Sequence, residues 1–361
     1  MSFSINMFSR LGIFERVFAL LSVLSIGTIM IRFSEEEVPT YRHIDVLAYN
    51  SKPTVANDNA TSENSVGNVV NASSSRDVQS RLQKFSPKTK CRLLGKDLIG
   101  RLAVDKTVPN MEDIVKSWNM TNWVLKGGAS RPKTCQSLSK VAIIIPYRNR
   151  YQQLKIFLRH LHPILKRQLL DYRIIVVEQN GDTPFNRAML FNIGYKEALK
   201  LHDFQCFVFH DVDLIPEDDR NSYGCPSRPR HLSVAVDTLH YRLPYATIFG
   251  GVSSLTKEQF EKINGFSNKF WGWGGEDDDL YKRITAVGYS LSRPNIVIGR
   301  YTMLQIGHKS AKKDDRRHEK LETSEDRMSR DGLNTLKYDV IKTEEHQLHT
   351  QFTVNVDPAV V

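Results

Sequence analysis

The 361-residue chain lacks the sequence signatures of several large enzyme classes. No glycine-rich dinucleotide fingerprint and no phosphate-binding loop follows any of its apolar runs. Gly-x-Ser-x-Gly and His-Glu-x-x-His are also missing, and nothing indicates a catalytic cysteine. These absences disfavour hydride transfer, ordinary ATP chemistry, and the hydrolase and zinc-protease mechanisms that depend on those motifs.

Cysteine and clustered positive charge are scarce as well. The chain has four cysteines, whose spacing does not match a zinc cluster. Their even number suits an oxidising compartment, where two disulfides allow three different pairings. The net charge of +10 indicates anionic partners such as a phosphorylated substrate, a membrane surface or nucleic acid. Because Lys and Arg are mixed with acidic residues rather than grouped, the sequence gives a nucleic-acid patch little support, and we expect no nucleic-acid partner.

An uncharged apolar segment near the N-terminus predicts membrane anchoring. Residues 17–31 carry no charge, arginines precede them at positions 10 and 16, and glutamates follow at 35–37. The positive-inside rule then places the N-terminus in the cytosol and the rest of the chain in the lumen. A cleaved signal peptide is the alternative, but no clear small-x-small cleavage site follows. We therefore expect a cytoplasmic tail at 1–16, an anchor at 17–33, a luminal stem at 34–88 and a catalytic domain at 89–361.

The predicted stem is rich in Ser, Asn and charged residues and shows little apolar periodicity, which is typical of an extended linker. Glycosylation sequons begin at Asn59, Asn71 and Asn119. Since chance alone gives one or two sequons in a chain of this length, they support a luminal location only modestly.

Apolar strands alternate with amphipathic helices after the stem. Continuous apolar runs at 141–145, 174–177 and 206–209 predict buried strands, and helical spacing of apolar residues follows the first two. This alternation predicts a parallel sheet with helices on both faces. Ligands of such sheets bind beyond the carboxyl ends of the strands. Polar clusters follow all three predicted strands, at 146–150, 178–180 and 211–213.

Residues 270–279 combine two tryptophans, three glycines and four consecutive carboxylates. Sugar C–H faces stack on aromatic rings, and sugar hydroxyls donate hydrogen bonds to carboxylates. Repulsion among adjacent carboxylates raises the pKa of one of them and makes it a candidate base. The alternative is a solvated acidic turn, which the two large aromatic residues disfavour.

The cluster at the end of the third strand is a candidate metal site. Asp211 and Asp213 can share a hard divalent cation and the diphosphate that it bridges, although a simple strand-ending turn is the alternative. Arg148, Arg150 and Arg187 are placed to hold phosphate oxygens and a nucleobase, with surface ion pairs as the alternative. Together these features indicate a luminal nucleotide-sugar glycosyltransferase on a Rossmann-like sheet.

The same residues carry a family resemblance. The chain resembles the animal β1,4-galactosyltransferases, type II Golgi membrane proteins with an α/β GT-A fold, and is similar in particular to their invertebrate β1,4-N-acetylgalactosaminyltransferase branch. The matching segments are 141–150, 185–187, 211–216, 249–253, 264–266, 270–279 and 331–334. The resemblance covers about residues 90–358, and it implies an inverting, Mn²⁺-dependent transfer from a UDP-sugar in the Golgi lumen.

The resemblance also implies roles for individual residues. Asp277 would be the general base that deprotonates the acceptor's 4-hydroxyl, and Trp273 would move with a flexible loop. Donor-binding residues would be Pro146, Tyr147, Arg148, Asn149, Arg150, Phe185, Asn186, Arg187, Asp211, Val212, Asp213, Ile248 and Trp273. Acceptor-binding residues would be Tyr245, Gly275, Glu276, Asp277, Asp278 and Arg317. Metal ligands would be Asp213, His308 and Met303, and the disulfides would be Cys91–Cys135 and Cys206–Cys225.

Two positions depart from the pattern of the vertebrate galactosyltransferases. The metal-binding histidine usually follows the methionine as Met-x-x-His, whereas His308 lies two residues further on, which puts the loop geometry in doubt. Ile248 replaces a tyrosine that sits near the C2 substituent of the donor sugar. Because the smaller side chain leaves room for an N-acetyl group, we expect UDP-GalNAc as donor and terminal β-GlcNAc on glycoproteins or glycolipids as acceptor. The alternatives are UDP-Gal on the same acceptor and, on the same fold, a noncatalytic sugar-binding membrane protein.

Overall fold

The computed structural model describes residues 89–92, 95–119, 123–306 and 312–358. The predicted cytoplasmic tail, anchor and stem lie outside these residues, together with Asn59, Asn71 and His308. Within the described ranges, no helix is long and apolar enough to cross a membrane.

The described chain alternates between strands and helices. Its helices are α1 (Met111–Asn119), α2 (Tyr151–Arg167), α3 (Arg187–Leu201), α4 (Lys257–Lys262), α5 (Glu276–Ala286), α6 (Arg317–Glu322) and α7 (Ser324–Arg327). Its strands are β1 (Ala129–Ser130), β2 (Lys140–Tyr147), β3 (Asp171–Gln179), β4 (Cys206–His210), β5 (Leu214–Pro216), β6 (Arg230–His231), β7 (Ala235–Val236), β8 (Val252–Thr256), β9 (Arg300–Met303), β10 (Asp339–Glu345) and β11 (Thr350–Asn355). All three strands and both helices predicted from apolar periodicity are confirmed.

The central sheet has the order β10-β11-β3-β2-β4-β8-β6, with β1 also paired to β3. Its middle strands β11, β3, β2 and β4 are parallel neighbours. The expectation of a parallel sheet is wrong at the edges, where β8 and β10 pair antiparallel to their neighbours. The tight turn between β10 and β11 allows only an antiparallel pair, and β8 returns after the excursion at 211–251 rather than after a crossover helix.

Two apolar layers cover the two faces of this sheet. Ile143 and Ile145 of β2 face a cluster with helix α2, and Ile144 faces the opposite cluster with helix α3. This alternation along β2 explains its unbroken apolar sequence, since both faces of the strand are buried. The predicted helices on both faces are therefore confirmed.

Covalent and local interactions hold the ends of several elements. The disulfides are Cys91–Cys135 and Cys206–Cys225, the pairings implied by the family resemblance. Thr256 caps α4 in a capping box, in which its hydroxyl accepts from the Gln259 amide and the Gln259 side chain accepts from the Thr256 amide.

A buried network of two arginines and two aspartates connects α5, α7 and the turn that follows α7. Arg283 donates from Nε to Asp279 at 2.6 Å and from Nη1 to the Asp331 carbonyl at 2.7 Å. Arg327 donates to the carboxylates of both aspartates. All four residues are buried, so each charge depends on its partners for stability. The network fixes the start of α5, where the remaining carboxylates of the acidic run lie.

Replacing Asp331 with Asn should leave an excess of buried positive charge around Arg283 and Arg327. We expect the free energy of unfolding, measured with urea, to fall by about 3–5 kcal/mol. Asp326→Asn, at an exposed position of α7, is the matched control and should change it by less than about 0.5 kcal/mol. Equal effects of the two substitutions would contradict the structural role of the network.

Candidate active site

The two segments expected to bind the donor lie side by side beyond the end of β2. Arg148 donates from Nη1 to the Thr183 carbonyl at 2.7 Å, and its guanidinium carbon lies 5.3 Å from the centre of the Phe185 ring. The Phe185 carbonyl accepts from the Gly272 amide at 2.8 Å. One set of contacts therefore joins the loop after β2, the loop before α3 and the tryptophan-containing run.

Asn186 and Arg187 begin helix α3 and have different roles in this structure. The Asn186 side chain is fully buried, accepts from the Met189 amide at 2.9 Å and donates to the Asn268 carbonyl at 2.7 Å. It is thus the N-cap of α3, and its hydrogen bonds fix the position from which Arg187 reaches the site.

Arg187 lies between the two carboxylate clusters identified in the sequence. It donates from Nε to Asp211 at 2.6 Å and from Nη1 to Glu276 at 3.2 Å. Burial opposes the charged guanidinium, but Asp211 and Glu276 outweigh burial and raise the pKa of Arg187. The arginine predicted to hold UDP therefore also holds the end of β4 against the start of α5.

Strand pairing brings the expected metal ligands of the described region together. Leu214 of β5 pairs with Met303 of β9, and the Asp213 carbonyl accepts from the Leu304 amide at 2.7 Å. Among the described residues, no group of three or more His, Cys, Asp or Glu side chains could hold a metal ion. Asp213 still offers a carboxylate that fits a hard divalent cation, whose other ligands would come from a diphosphate and the segment containing His308.

Met303 is a weaker metal-ligand candidate than Asp213. Its sulfur already accepts a hydrogen bond from the Thr238 hydroxyl at 3.6 Å, and its side chain packs partly buried against the α2-side core. Manganese prefers oxygen and imidazole ligands to a thioether. The structure therefore places Met303 beside the candidate site and also packs it against the core.

The acidic run forms the first turn of α5, and three of its four carboxylates contact different partners. Glu276 contacts Arg187, Asp278 accepts from the Tyr245 hydroxyl at 3.0 Å, and Asp279 enters the buried arginine network. Gly275 precedes the helix with a φ of 97°, a left-handed conformation that favours glycine. Carboxylates are favourable at a helix N-terminus, where the free backbone amides carry partial positive charge.

Asp277 remains as the carboxylate available for proton transfer. Burial raises its pKa to about 7, with further contributions from the nearby charges of Glu276 and Asp278. Repulsion along the run, the cause expected from the sequence, is real but is not the largest contribution. A carboxyl group that titrates near neutral pH suits a general base.

Gly250 is a functional position that the site predictions missed. A Cβ atom built on Gly250 would lie 2.3 Å from Oδ2 of Asp277, so a side chain at this position would displace the carboxylate. The Phe-Gly-Gly sequence at 249–251 was the available signal, but only the fold shows which residue the glycine faces.

Glu276 has unused hydrogen-bonding capacity within the described site. Its Oε2 atom is buried and has no hydrogen-bond partner among the described residues, and burial raises the pKa of this carboxyl. An unpaired buried oxygen of this kind costs free energy that a donating ligand hydroxyl can recover. The position is therefore consistent with the predicted role in acceptor binding.

Trp273 precedes the acidic run in the chain, and Arg317 follows it and packs beside its first turn. The Trp273 amide donates to the Lys312 carbonyl at 2.9 Å, and the Asp314 amide donates back to Trp273 at 3.3 Å. The Trp273 side chain stays 58% exposed, which leaves its ring accessible to a ligand. Arg317 begins α6 and packs against Gly275.

Tyr245 and Ile248 lie on one short segment that leads into Gly250. The Ile248 amide donates to the Tyr245 carbonyl at 3.3 Å, and the following residue, Phe249, is buried in the α3-side core. One turn therefore carries Tyr245, which is expected to bind the acceptor, Ile248, which is expected to select the donor, and Gly250, which lies beside Asp277.

Comparison with known protein families agrees with this arrangement. Residues 91–226 match the N-terminal region of glycosyl transferase group 7, and residues 230–309 match the family described as the N-terminal domain of galactosyltransferase. Together the two matches contain most of the residues assembled at the site.

Individual relatives are similar over the same region. Mouse beta-1,4-galactosyltransferase 1 is 50% identical over 262 residues, which are 72% of this chain and 65% of that protein. Rat beta-1,4-galactosyltransferase 6 is 44% identical over 274 residues, which are 76% of this chain and 72% of that protein. The matched region thus spans about two thirds of the length of such relatives.

Solved structures extend the comparison to the fold. The catalytic domain of Drosophila beta1,4galactosyltransferase 7 in complex with xylobiose is 29% identical, with a TM-score of 0.55, and covers 61% of this chain and 95% of that one. A mutant of the Drosophila enzyme, solved with manganese, UDP-Gal and xylobiose, is also 29% identical, with a TM-score of 0.49 and the same coverage. The described sheet is the Rossmann-like α/β sheet of a glycosyltransferase. By the family matches and the identity to its relatives, the chain belongs to the β-1,4-galactosyltransferase family.

Proposed function

We propose that the protein is an inverting glycosyltransferase that moves GalNAc from UDP-GalNAc to the 4-hydroxyl of a terminal β-GlcNAc on glycoproteins or glycolipids. The observation that carries the transfer activity is Asp277, a half-buried carboxyl group with a pKa of about 7 between the expected donor and acceptor residues. Aromatic and carboxylate side chains around it supply the contacts that a sugar needs.

In this reaction Asp277 accepts the proton of the acceptor hydroxyl as that oxygen attacks the anomeric carbon opposite the UDP. Glu276 and Asp278 accept hydrogen bonds from other acceptor hydroxyls, and Trp273 covers both sugars. Asp213 and His308 are the main candidates to hold Mn²⁺, which would supply positive charge to offset the negative charge of the leaving diphosphate.

Docking of the 312–314 segment on Trp273 closes the acceptor side of the site. The two backbone hydrogen bonds between Trp273 and this segment connect the tryptophan to the approach to α6 and Arg317. A closed segment excludes water from the reacting sugars and so favours transfer over hydrolysis of the donor.

The choice of GalNAc rests on Ile248, which lacks the bulk and hydroxyl of the tyrosine found at this position in vertebrate galactosyltransferases. Galactose transfer from UDP-Gal is the second candidate function. It is favoured by the names of the relatives, which are beta-1,4-galactosyltransferases at 44–50% identity. The two functions differ only in the donor's C2 substituent, so a single pocket residue can separate them.

We further propose a single-pass type II protein of the Golgi membrane with a luminal catalytic domain. The uncharged segment at 17–31, its flanking charges and the glycosylation sequons support this orientation. The disulfides Cys91–Cys135 and Cys206–Cys225 are compatible with an oxidising lumen. The remaining alternative is a noncatalytic sugar-binding membrane protein, which would bind GlcNAc without turnover in the presence of Mn²⁺.

Asp277→Asn should abolish the base while keeping the shape of the side chain. We expect kcat for transfer to GlcNAc to fall about 10²- to 10⁴-fold, as measured by release of UDP.

The same substitution should change thermal stability. The pKa of Asp277 is higher in the folded protein than its ordinary value of 3.8, so ionisation of this carboxyl destabilises the fold as pH rises from about 4 to 7. The variant should therefore melt at a higher temperature than the wild type at pH 8, with a smaller difference at lower pH. Unchanged turnover would refute the base assignment.

Transfer should depend on pH through the same group. Because the base must be deprotonated and its pKa is about 7, kcat/KM for the acceptor at saturating donor should fall about tenfold per pH unit below pH 7 and level off above it. Measuring initial rates between pH 5 and 9 tests this profile. A rate that stays constant down to pH 5 would contradict it.

Ile248→Tyr should change the donor preference. The larger side chain should exclude the N-acetyl group, so the ratio of kcat/KM for UDP-GalNAc to that for UDP-Gal should fall by about tenfold or more. Ile248→Val, which adds no bulk, is the control and should retain a preference for UDP-GalNAc. A wild-type preference for UDP-Gal would overturn the donor assignment and support the second candidate function.

A further inference from the structure

Arg293 holds the backbone of the segment that carries Ile248. Its Nη2 atom donates to the carbonyls of Ala246 at 2.8 Å and Ile248 at 2.9 Å. Two hydrogen bonds from one guanidinium to carbonyls two residues apart fix the course of the chain between them. The direction of the Ile248 side chain follows from this backbone path.

The same guanidinium is connected to Gly250 through a buried histidine. Arg293 donates from Nε to Nδ1 of His231 at 3.4 Å, which leaves Nε2 of His231 to donate to the Gly250 carbonyl at 3.0 Å. Burial and, to a smaller extent, the charge of Arg293 lower the pKa of His231 to about 3. His231 is therefore neutral at physiological pH, in the tautomer that this chain of hydrogen bonds requires.

The central sheet anchors both residues. His231 belongs to β6, and its amide donates to the Ser292 carbonyl at 3.0 Å, next to Arg293 in the chain. Ser292 in turn donates to the Pro229 carbonyl at 2.8 Å. The hydrogen bonds of Arg293 and His231 thus fix the turn at 245–250 relative to the edge of the sheet.

We propose that Arg293 and His231 are positioning residues that set donor selectivity, by holding Ile248 against the donor sugar and Gly250 against Asp277. This inference rests on the proposed glycosyl transfer. Arg293 and His231 hold two positions with different roles in the proposed reaction. Ile248 faces the donor sugar, whereas Gly250 borders Asp277, the base that acts on the acceptor. A small displacement of the turn should therefore change which donor sugar is admitted, without changing the contacts made by the UDP portion.

Arginine is suited to this position by the shape of its side chain. Its planar guanidinium presents donors in a fixed fork, whereas lysine offers one flexible ammonium that cannot keep all three hydrogen bonds in this geometry. Arg293→Lys keeps the positive charge and most of the volume. It therefore tests the positioning of the turn rather than the presence of a charge.

The test compares both donors on the same enzyme preparation. For Arg293→Lys in the full chain, we expect the ratio of kcat/KM for UDP-GalNAc to that for UDP-Gal to move toward one by about threefold or more. Unfolded protein cancels in this ratio, so partial loss of stability does not affect the readout. The inhibition constant of free UDP, which lacks the transferred sugar, should stay within about twofold of the wild-type value.

Arg159 of α2 provides a matched control, because its hydrogen bonds hold a different segment of the chain. It also donates from one Nη2 atom to two carbonyls that are two residues apart, those of Asp105 at 2.7 Å and Thr107 at 2.9 Å. Arg159→Lys should leave the donor ratio unchanged. His231→Gln can still donate to Gly250 from its amide nitrogen, but its acceptor oxygen branches from the same terminal carbon and does not occupy the place of Nδ1, which accepts from Arg293. This variant should therefore shift the ratio in the same direction by a smaller factor.

The outcomes separate this inference from the proposed function. An unchanged donor ratio in Arg293→Lys, an equal shift in Arg159→Lys, or a proportional weakening of UDP inhibition would overturn the positioning role alone. Preference of the wild type for UDP-Gal, with a ratio that still moves toward one in Arg293→Lys, would support the positioning role and overturn only the donor assignment. If the wild type transferred neither sugar to GlcNAc, the proposed function would fail and the positioning role with it.

Discussion

The geometry of the site depends on the buried charge network of Asp279, Arg283, Arg327 and Asp331. Asp279 is the last of four consecutive carboxylates, and its pairing with two arginines fixes the rotation of the first turn of α5. With that residue directed into the interior, the helical geometry directs the preceding carboxylates elsewhere. The network also joins α7 to α5, so the chain leading from Arg317 is held near the acidic turn.

A second constraint is the balance of charge around Arg187. This half-buried cation neutralises part of the charge on Asp211 and Glu276, and so allows two acidic clusters to lie close together beyond the sheet. It does not contact Asp277 by hydrogen bond or ion pair in the described structure, although its charge partly offsets the rise in the pKa of that carboxyl. Glu276 and Asp277 therefore differ in their pairing, because the guanidinium donates to Glu276 and not to Asp277. In the proposed reaction, Glu276 positions the acceptor and Asp277 accepts its proton.

Predictions from the sequence were most successful where one local property determines the structure. The central strands were predicted because strands buried on both faces must be continuously apolar. The antiparallel edges were not predicted, because the direction of β8 depends on the path of a long irregular segment. Gly250 and Arg293 were also missed, since their partners lie 27 and 45–62 residues away in the chain.

The sequence by itself determined the chemical groups of this protein: the carboxylates, aromatic rings and arginines that a sugar-nucleotide site requires, and the family to which they point. Only the tertiary structure decided how four adjacent acidic residues divide their roles. The pKa of a carboxyl group depends on its burial and on the charges that reach it through space. Neither quantity can be read from a run of acidic residues in the sequence. The fold packs the half-buried Asp277 against Gly250 and pairs the buried Asp279 with two arginines.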